Sequence, residues 1–256
     1  MMMPSFTPMC SVSLAGLTLH AAAPWGADAR SALAWACASG VQAVQIDATM
    51  PGLRPRELDA SARRDIRALA RRLGVSVSGV DLFIPPTHFI DAAHLDRAMN
   101  AARAALELAR DLAEHSTSAV VATELPEKCS DDTIAELRTA TQRVGATLAD
   151  CAWPPRNGRV NDADAIRIGI DPAAIIARGE DVANQVAKLT AVPAHARLSD
   201  LGASGRVEAG KGQLDMTTYC VTLSTRGFSA PLVIDLRGLR DQAAVLSRVL
   251  ARVQGH

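Results

Sequence analysis

The sequence predicts an α/β protein that folds as one (β/α)8 barrel over residues 1–256. Short apolar runs alternate with longer amphipathic segments about eight times, which is the pattern of β/α units. The length of 256 residues suits a single barrel of this kind. The alternative is an open doubly wound sheet, but no G-x-G-x-x-G motif follows an early strand, so a dinucleotide-binding sheet loses its main support.

The candidate strands are eight short apolar runs. Runs of this length between turn residues are typical of buried parallel strands. They lie at Cys10–Leu19, Val41–Asp47, Val75–Asp81, Ala119–Glu124, Thr147–Cys151, Arg167–Asp171, Ala194–Asp200 and Leu232–Arg237.

Amphipathic segments between these strands predict the helices. In Arg56–Leu73 and in His94–Leu112 the apolar residues recur three and four positions apart, as on one face of a helix. Asp91 is the predicted N-cap of the second of these helices, because a short carboxylate can accept the unpaired amides of a first turn. Ser130 and Asp241 are expected to open two further helices.

One β/α unit departs from the pattern. The segment 151–166, CAWPPRNGRVNDADAI, follows the fifth strand and contains two prolines and a glycine but no helical stripe. We therefore expect an irregular or missing helix between strands five and six. No linker and no further repeat interrupts the chain, so the sequence predicts a single domain.

Composition limits the partners and the compartment. Lys and Arg number 27, as do Asp and Glu, so no net charge attracts nucleic acid or an acidic membrane. The five cysteines are widely spaced without a C-x-x-C motif, which predicts a reduced, cytoplasmic protein without a structural zinc site. No basic signal-peptide start and no membrane-spanning apolar run is present, so we expect neither secretion nor a membrane partner.

Polar side chains share one face of several predicted strands. Side chains alternate along a strand, so residues two apart point the same way, and barrel enzymes build their sites at the carboxyl ends of the strands. The polar residues on this face are Gln45, Asp47, Arg167, Asp171, His195, Arg197, Ser199, Asp235 and Arg237. Each alone is explained by a helix cap or a structural ion pair, but the repetition over several strands favours a site.

A glycine-rich segment follows the seventh strand. It reads LGASGRVEAGKGQ over residues 201–213 and contains Arg206 and Lys211. Glycine backbone amides and two cations suit an anion, and barrel phosphate sites often use this loop. The alternative is an ordinary flexible surface loop.

Four segments resemble the xylose-isomerase-like TIM barrels, the sugar phosphate isomerase/epimerase superfamily. The resemblance covers nearly the whole chain, in the order expected for that fold. It is carried by ALAWACASGVQAVQIDA, SGVDLFIPPTHFIDAAHLDRAMNAARAALELARDLA, IRIGIDPAAIIARGED and ARLSDLGASGRVEAGKGQLDMTTY with the later LVIDLRGL.

The resemblance implies a divalent metal held by a Glu after strand five, an Asp after strand six, a His on strand seven and a Glu on strand eight. Asp171 matches the Asp, Arg197 stands where the His is expected, and Asp235 replaces the final Glu. The strand-five position falls near Asp150 or Cys151, and the His expected three residues beyond Asp171 is Ala174.

Arg197 decides the prediction about metal, because a guanidinium has no lone pair to donate and repels a cation. We therefore expect a degraded metal site and no cofactor. Should Mn²⁺ or Mg²⁺ bind, Asp150, Asp171 and Asp235 would be its ligands.

The resemblance implies an isomerase or epimerase that moves a proton on a small carbohydrate or sugar acid. Asp171, Asp235 and Arg197 would be the catalytic residues. The residues expected to bind substrate are Arg206, Arg237, His195 and Asp47. The alternative is a non-catalytic descendant that binds a small anionic ligand or a protein partner. A metal-dependent hydrolase or nuclease is disfavoured by the few histidines, and a homo-oligomer is an open expectation.

Overall fold

The structure is a computed structural model that describes residues 8–17, 28–113, 119–155 and 165–255. Eight parallel strands close into a barrel in the order β1-β10-β7-β6-β5-β4-β3-β2, which confirms the predicted fold class. The barrel strands are β1 (Cys10–Ser13), β2 (Ala43–Asp47), β3 (Ser76–Asp81), β4 (Val120–Thr123), β5 (Thr147–Asp150), β6 (Ile166–Ile170), β7 (His195–Leu198) and β10 (Leu232–Ile234). Between β7 and β10, the strands β8 (Asp200–Gly202) and β9 (Gly205–Val207) pair antiparallel as a hairpin.

Helices follow most of the strands and cover the outside of the barrel. Asp and Ser side chains accept first-turn amides at several helix starts, among them Asp59 and Ser130. The helices in the described ranges are α1 (Ala29–Ala38), α2 (Ala60–Arg72), α3 (Leu95–Leu112), α4 (Asp131–Val144), α5 (Pro172–Ile176), α6 (Val182–Ala187), α7 (Met216–Thr225) and α8 (Gln242–Gln254).

Three predicted helix starts differ from the structure. His94, not Asp91, is the N-cap of α3, and the Asp91 carboxylate accepts instead the Ala93 N–H and pairs with the His94 ring. The segment predicted from residue 56 begins with a short 3₁₀ turn at Pro55–Glu57, since a proline favours a tight first turn, and α2 starts only at residue 60. Asp241 does precede α8, but in a left-handed backbone conformation without a side-chain cap.

The first and fifth units also depart from regular β/α geometry. The strand predicted to reach Leu19 ends at Ser13 and enters a turn, and residues 18 and 19 lie outside the described residues. Between β5 and β6, residues 151–155 and 165 form no helix, as expected, while residues 156–164 lie outside the described ranges.

Alternation along the strands separates the apolar layer from a polar barrel interior. Ile166, Ile168 and Ile170 of β6 are buried within the main hydrophobic core. Inside the barrel, Ser13 and Arg197 are also buried, as part of a hydrogen-bonded polar cluster. No helix in the described part of the chain is both long enough and apolar enough to cross a membrane.

Candidate functional site

A cavity of about 520 Å³ opens at the carboxyl ends of the barrel strands. Segments that follow β3, β4, β5 and β6 line it together with β7, the hairpin and the residues after β10. Its charged and polar lining residues are Thr123, Glu124, Cys151, Asp171, Arg197, Arg206 and Arg237. The cavity therefore lies where barrel enzymes place their active sites.

Arg197 lies at the base of this cavity and is almost completely buried, with 1% of its surface exposed. Its Nη2 pairs with the fully buried carboxylate of Asp81 at the end of β3, and its Nη1 lies 3.8 Å from Asp235 Oδ2. Asp81 also accepts hydrogen bonds from Ser13 Oγ at 2.5 Å and Gln45 Nε2 at 2.7 Å. A charge buried this deeply needs such partners, so Arg197 is part of the barrel's internal structure.

Asp235, just after β10, is enclosed by arginines. Arg237 donates from Nη2 at 2.6 Å and from its backbone N–H at 3.0 Å, and Arg206 donates from Nη2 at 2.5 Å. Burial would raise the pKa of Asp235, but the hydrogen bond of Arg237 and the charges of Arg197, Arg237 and Arg206 outweigh it and lower the pKa to about 2. This carboxylate stays ionised and is a weak base.

The ion pairs of Asp235 predict an acid-sensitive contribution to stability. Because the pKa of Asp235 is lowered from 3.8 to about 2 on folding, the folded state gains about 2 kcal/mol above pH 4. This gain is lost as the pH falls from about 4 to about 2, where the folded carboxylate takes up a proton. We expect the difference in unfolding free energy between wild type and Asp235→Asn to shrink across this window in urea titrations. A constant difference would contradict the assignment.

Asp171 differs from Asp235 in having one carboxylate oxygen open to the cavity. Its Oδ1 accepts hydrogen bonds from Ser199 Oγ and, at 3.1 Å, from the Ala173 N–H at the start of α5. Its Oδ2 accepts no hydrogen bond from the described residues and lies 3.8 Å from Arg237 Nη2. The carboxylate is therefore held in orientation through one oxygen, and the other is available to a ligand.

Phe83 orders the arginines of the cavity. The guanidinium carbon of Arg237 lies 3.8 Å from the centre of the Phe83 ring, and that of Arg197 lies 5.1 Å from it. A cation over an aromatic face is stabilised by the ring quadrupole. The ring therefore offsets part of the repulsion between the two guanidiniums.

Two predicted carboxylates are bound to neighbouring backbone rather than to the cavity. Asp47 Oδ1 accepts the N–H and the hydroxyl of Thr49, both at 2.7 Å, and burial raises the Asp47 pKa. Asp150 Oδ1 accepts the N–H groups of Leu125 and Ala152 at 3.0 Å. Neither is a lining residue of the cavity.

His195 was expected among the substrate-binding residues, and that expectation is wrong for this cavity. His195 begins β7 and lines a cavity at the opposite, amino-terminal end of the barrel. Its side chain shares the inward face with Arg197. The two residues are two positions apart on β7, and a strand rises about 3.3 Å per residue, so they lie at different depths in the barrel. Burial, with Arg197 nearby, holds the pKa of His195 well below its usual value.

The glycine-rich segment was interpreted either as an anion site or as a flexible surface loop, and in the structure its amides bind a carboxylate of the protein itself. The buried Asp200 carboxylate already accepts the N–H groups of Gly210, Gly212, Gln213 and Leu214, at 2.8–3.0 Å. A side chain at Gly212 would meet the Leu201 carbonyl oxygen at 2.3 Å, so only glycine fits there. From this segment only Leu201 and Arg206 line the cavity.

The residues present do not fit a divalent cation. At the strand-seven position the Arg197 guanidinium is directed at Asp81 and Asp235, where a metal ligand would need a lone pair. In residues 8–17, 28–113, 119–155 and 165–255, no three His, Cys, Asp or Glu side chains are grouped closely enough to hold an ion.

Two residues of the site, Asp81 and Phe83, were not predicted from the sequence. Cys151, which the sequence places near the strand-five position, lines the cavity. Asp81 carried the same signal as Asp171, because both are aspartates at the end of an apolar run. Phe83 had no signal, since its contacts come from arginines on distant strands. Burial raises the pKa of Cys151 to about 12, so its thiol is neutral.

The fold is shared with solved sugar-isomerase-like barrels. A xylose isomerase domain protein from Planctomyces limnophilus is 17% identical, with a TM-score of 0.71 over 98% of this chain and 96% of that one. The 3-keto-D-glucoside 4-epimerase of E. coli is 13% identical, with a TM-score of 0.72 over 97% and 100%. The D-psicose 3-epimerase of Clostridium cellulolyticum H10 is 11% identical, with a TM-score of 0.67 over 96% and 97%. At such identities the likeness shows a common fold.

No family model and no curated protein matches the sequence.

Proposed function

We propose that the protein is an isomerase or epimerase that moves a proton on a small carbohydrate or sugar acid, with Asp171 as the base. The observation that carries this proposal is the Asp171 carboxylate itself. One oxygen is fixed by Ser199 and the Ala173 N–H, and the other lies open to a cavity of about 520 Å³. A general base has to be held in position and remain in reach of substrate, and Asp171 meets both conditions.

The proton transfer takes place at a carbon next to the substrate carbonyl. Asp171 accepts the proton of that C–H bond, and the electron pair of the bond moves onto the carbonyl oxygen to give an enediolate. Return of the proton to the other face, or to the neighbouring carbon, gives the epimer or the isomer. For the isomer, Asp171 returns the proton to the neighbouring carbon on its own face. For the epimer, water adds a proton from the opposite face and Asp171 releases its proton to solvent, so atoms and charge balance without an oxidant or a reductant.

The arginines supply the positive charge that an enediolate needs. Arg237 and Arg206 line the cavity with side chains that are 26% and 28% exposed. Both are already oriented through Asp235, so they do not have to reorganise when negative charge develops on the substrate. The same guanidiniums suit the carboxylate of a sugar acid or the phosphate of a sugar phosphate. We propose that this chemistry proceeds without a metal ion.

A second candidate function is binding without catalysis. It is favoured by Asp235, because three arginines enclose the second carboxylate that proton transfer in this fold would be expected to use. In that case the cavity would hold a small anionic ligand through Arg206 and Arg237, with Asp171 accepting hydrogen bonds from its hydroxyl groups.

The test is solvent isotope exchange across a panel of ketoses, aldoses, sugar acids and their phosphates. We expect deuterium from D₂O to enter one carbon position of at least one compound, at a rate that is unchanged by EDTA or by added Mn²⁺. Saturable binding of a panel compound in calorimetry without any exchange would support the binding function instead. Exchange that requires Mn²⁺ would contradict the metal-independent chemistry.

A further inference from the structure

A second cavity, of about 530 Å³, lies at the amino-terminal end of the barrel and is not used by the proposed chemistry. Ser76, Thr147 and His195, which line it, are the first residues of β3, β5 and β7. This end of a barrel ordinarily contributes to stability and is closed by packed side chains. A cavity as large as the one at the mouth, with buried polar side chains in its lining, is therefore a feature to be explained.

Buried polar groups beside this cavity have hydrogen-bonding capacity that the protein does not use. His195 is 4% exposed and Gln45 is 1% exposed. Within the described ranges, His195 Nε2 and Gln45 Oε1 have no hydrogen-bond partner. A buried polar atom without a partner is destabilising, and a bound ligand or water that supplies the missing hydrogen bond removes this cost.

The charge of the lining favours an anion. The described residues that line the cavity include Arg167 and no Asp or Glu. Hydroxyl groups of Ser76, Ser78 and Thr147 surround the same space. This differs from the mouth, where Asp171 and Glu124 line the cavity together with the arginines.

Arg167 is the cation of this lining, and its Nη2 donates to the Val192 carbonyl at 2.9 Å. The Ser76 and Ser78 hydroxyls donate to the backbone carbonyls of Gln42 and Val44, at 3.2 and 3.1 Å, so their oxygens can accept a hydrogen bond from a ligand O–H group. A guanidinium beside such acceptors suits a small oxyanion that also carries an O–H group.

We propose that the amino-terminal cavity is a second ligand site, which takes a small oxyanion through Arg167, the Ser76, Ser78 and Thr147 hydroxyls and His195. The imidazole is neutral in this setting, so it can donate one hydrogen bond or accept one. An oxyanion that also carries an O–H group, such as a phosphate or a hydroxy acid, matches the mixture of donors and acceptors. The site does not depend on the chemistry at the mouth.

The experiment is a titration with inorganic phosphate, followed by calorimetry and by ³¹P NMR. We expect saturable binding to the wild type and at least about tenfold weaker binding to Arg167→Met, which loses the charge-assisted hydrogen bonds. Arg178→Met is the matched control, because it removes a 51% exposed arginine that lines neither cavity, and it should leave this affinity within about twofold. Arg206→Met removes an arginine of the mouth and shows whether phosphate binds there instead.

A second, near-isosteric variant tests the same cavity in case Arg167→Met does not fold. Thr147→Val removes one hydroxyl of the cavity and keeps the side-chain shape, and we expect it to weaken phosphate binding about threefold or more. Absence of saturable binding to the wild type would overturn the proposal. So would loss of binding in Arg206→Met together with full binding in Arg167→Met and Thr147→Val, because phosphate would then occupy the mouth.

Discussion

Replacing Arg197 with Met is expected to lower the unfolding free energy by about 3–5 kcal/mol. The substitution keeps much of the side-chain volume but leaves the fully buried Asp81 carboxylate without its cation. Asp235 loses a second, longer contact with the same guanidinium at 3.8 Å. Removing one partner of a buried pair is costly because the other charge stays in a medium that solvates it poorly. Urea denaturation followed by circular dichroism measures the loss.

Two further variants show how much of the lost unfolding free energy comes from the buried Arg197–Asp81 pair and how much comes from losing any arginine. Arg178→Met removes the partner of Glu180 from an ion pair in which the arginine side chain is 51% exposed, and it should cost less than about 1 kcal/mol. The double variant Arg197→Met/Asp81→Asn should be more stable than the sum of its two single variants predicts, because it leaves no uncompensated charge. Strict additivity would show that the two side chains do not act as a pair.

Replacing Asp171 with Asn is expected to reduce the rate of solvent exchange by about 10²–10⁴-fold. The amide has nearly the shape of the carboxylate and can still accept the hydrogen bond from the Ala173 N–H, so the fold should persist. It has no basic oxygen for the substrate proton. Exchange rates for the most active panel compound, measured at saturating concentration by NMR, give the effect.

The matched control for Asp171→Asn is Asp181→Asn. Asp181 caps α6 by accepting the Asn184 N–H, and asparagine caps a helix equally well. Its exchange rate should stay within about twofold of the wild type. If Asp171→Asn retained more than about a tenth of the wild-type rate, Asp171 would not be the base, and the proposed mechanism would be wrong.

Alternation along the strands was sufficient to predict which side chains face the barrel interior. In the segment Leu232–Arg237 it assigned Val233, Asp235 and Arg237 to one face. The structure places Asp235 and Arg237 at the mouth, while Val233 lines the amino-terminal cavity. A two-residue period therefore identifies the face and gives no position along the barrel axis.

The position of His195 along the barrel axis explains why it was wrongly predicted to bind substrate at the mouth. A separation of two residues along one strand amounts to about 7 Å, enough to move a side chain from the mouth toward the opposite end. The lengths of the predicted strands could not resolve this, because the run Ala194–Asp200 contains both the end of β7 and the start of the hairpin.

The sequence also could not predict which charged side chains form ion pairs across the barrel. Arg197 is 116 residues from Asp81 along the chain, and the contact depends on the closure of the whole barrel. The glycine-rich segment shows the same limit. Its composition is equally compatible with a site whose amides bind a ligand anion and with amides bound by a carboxylate of the protein. The structure shows the second arrangement, because the Asp200 carboxylate accepts these N–H groups.

The attachment of the 210–214 segment to Asp200 has a consequence for selectivity at the mouth. The Gln213 N–H also donates to the Leu201 carbonyl, so this segment is fastened to the base of the β8–β9 hairpin that carries Arg206. Arg206 therefore lies on a hairpin that is already held in place by hydrogen bonds, and the hairpin does not have to become ordered when a ligand binds. Under the proposed function, Arg206 is therefore preorganised for an anionic group of the substrate, and we expect compounds without such a group to bind weakly.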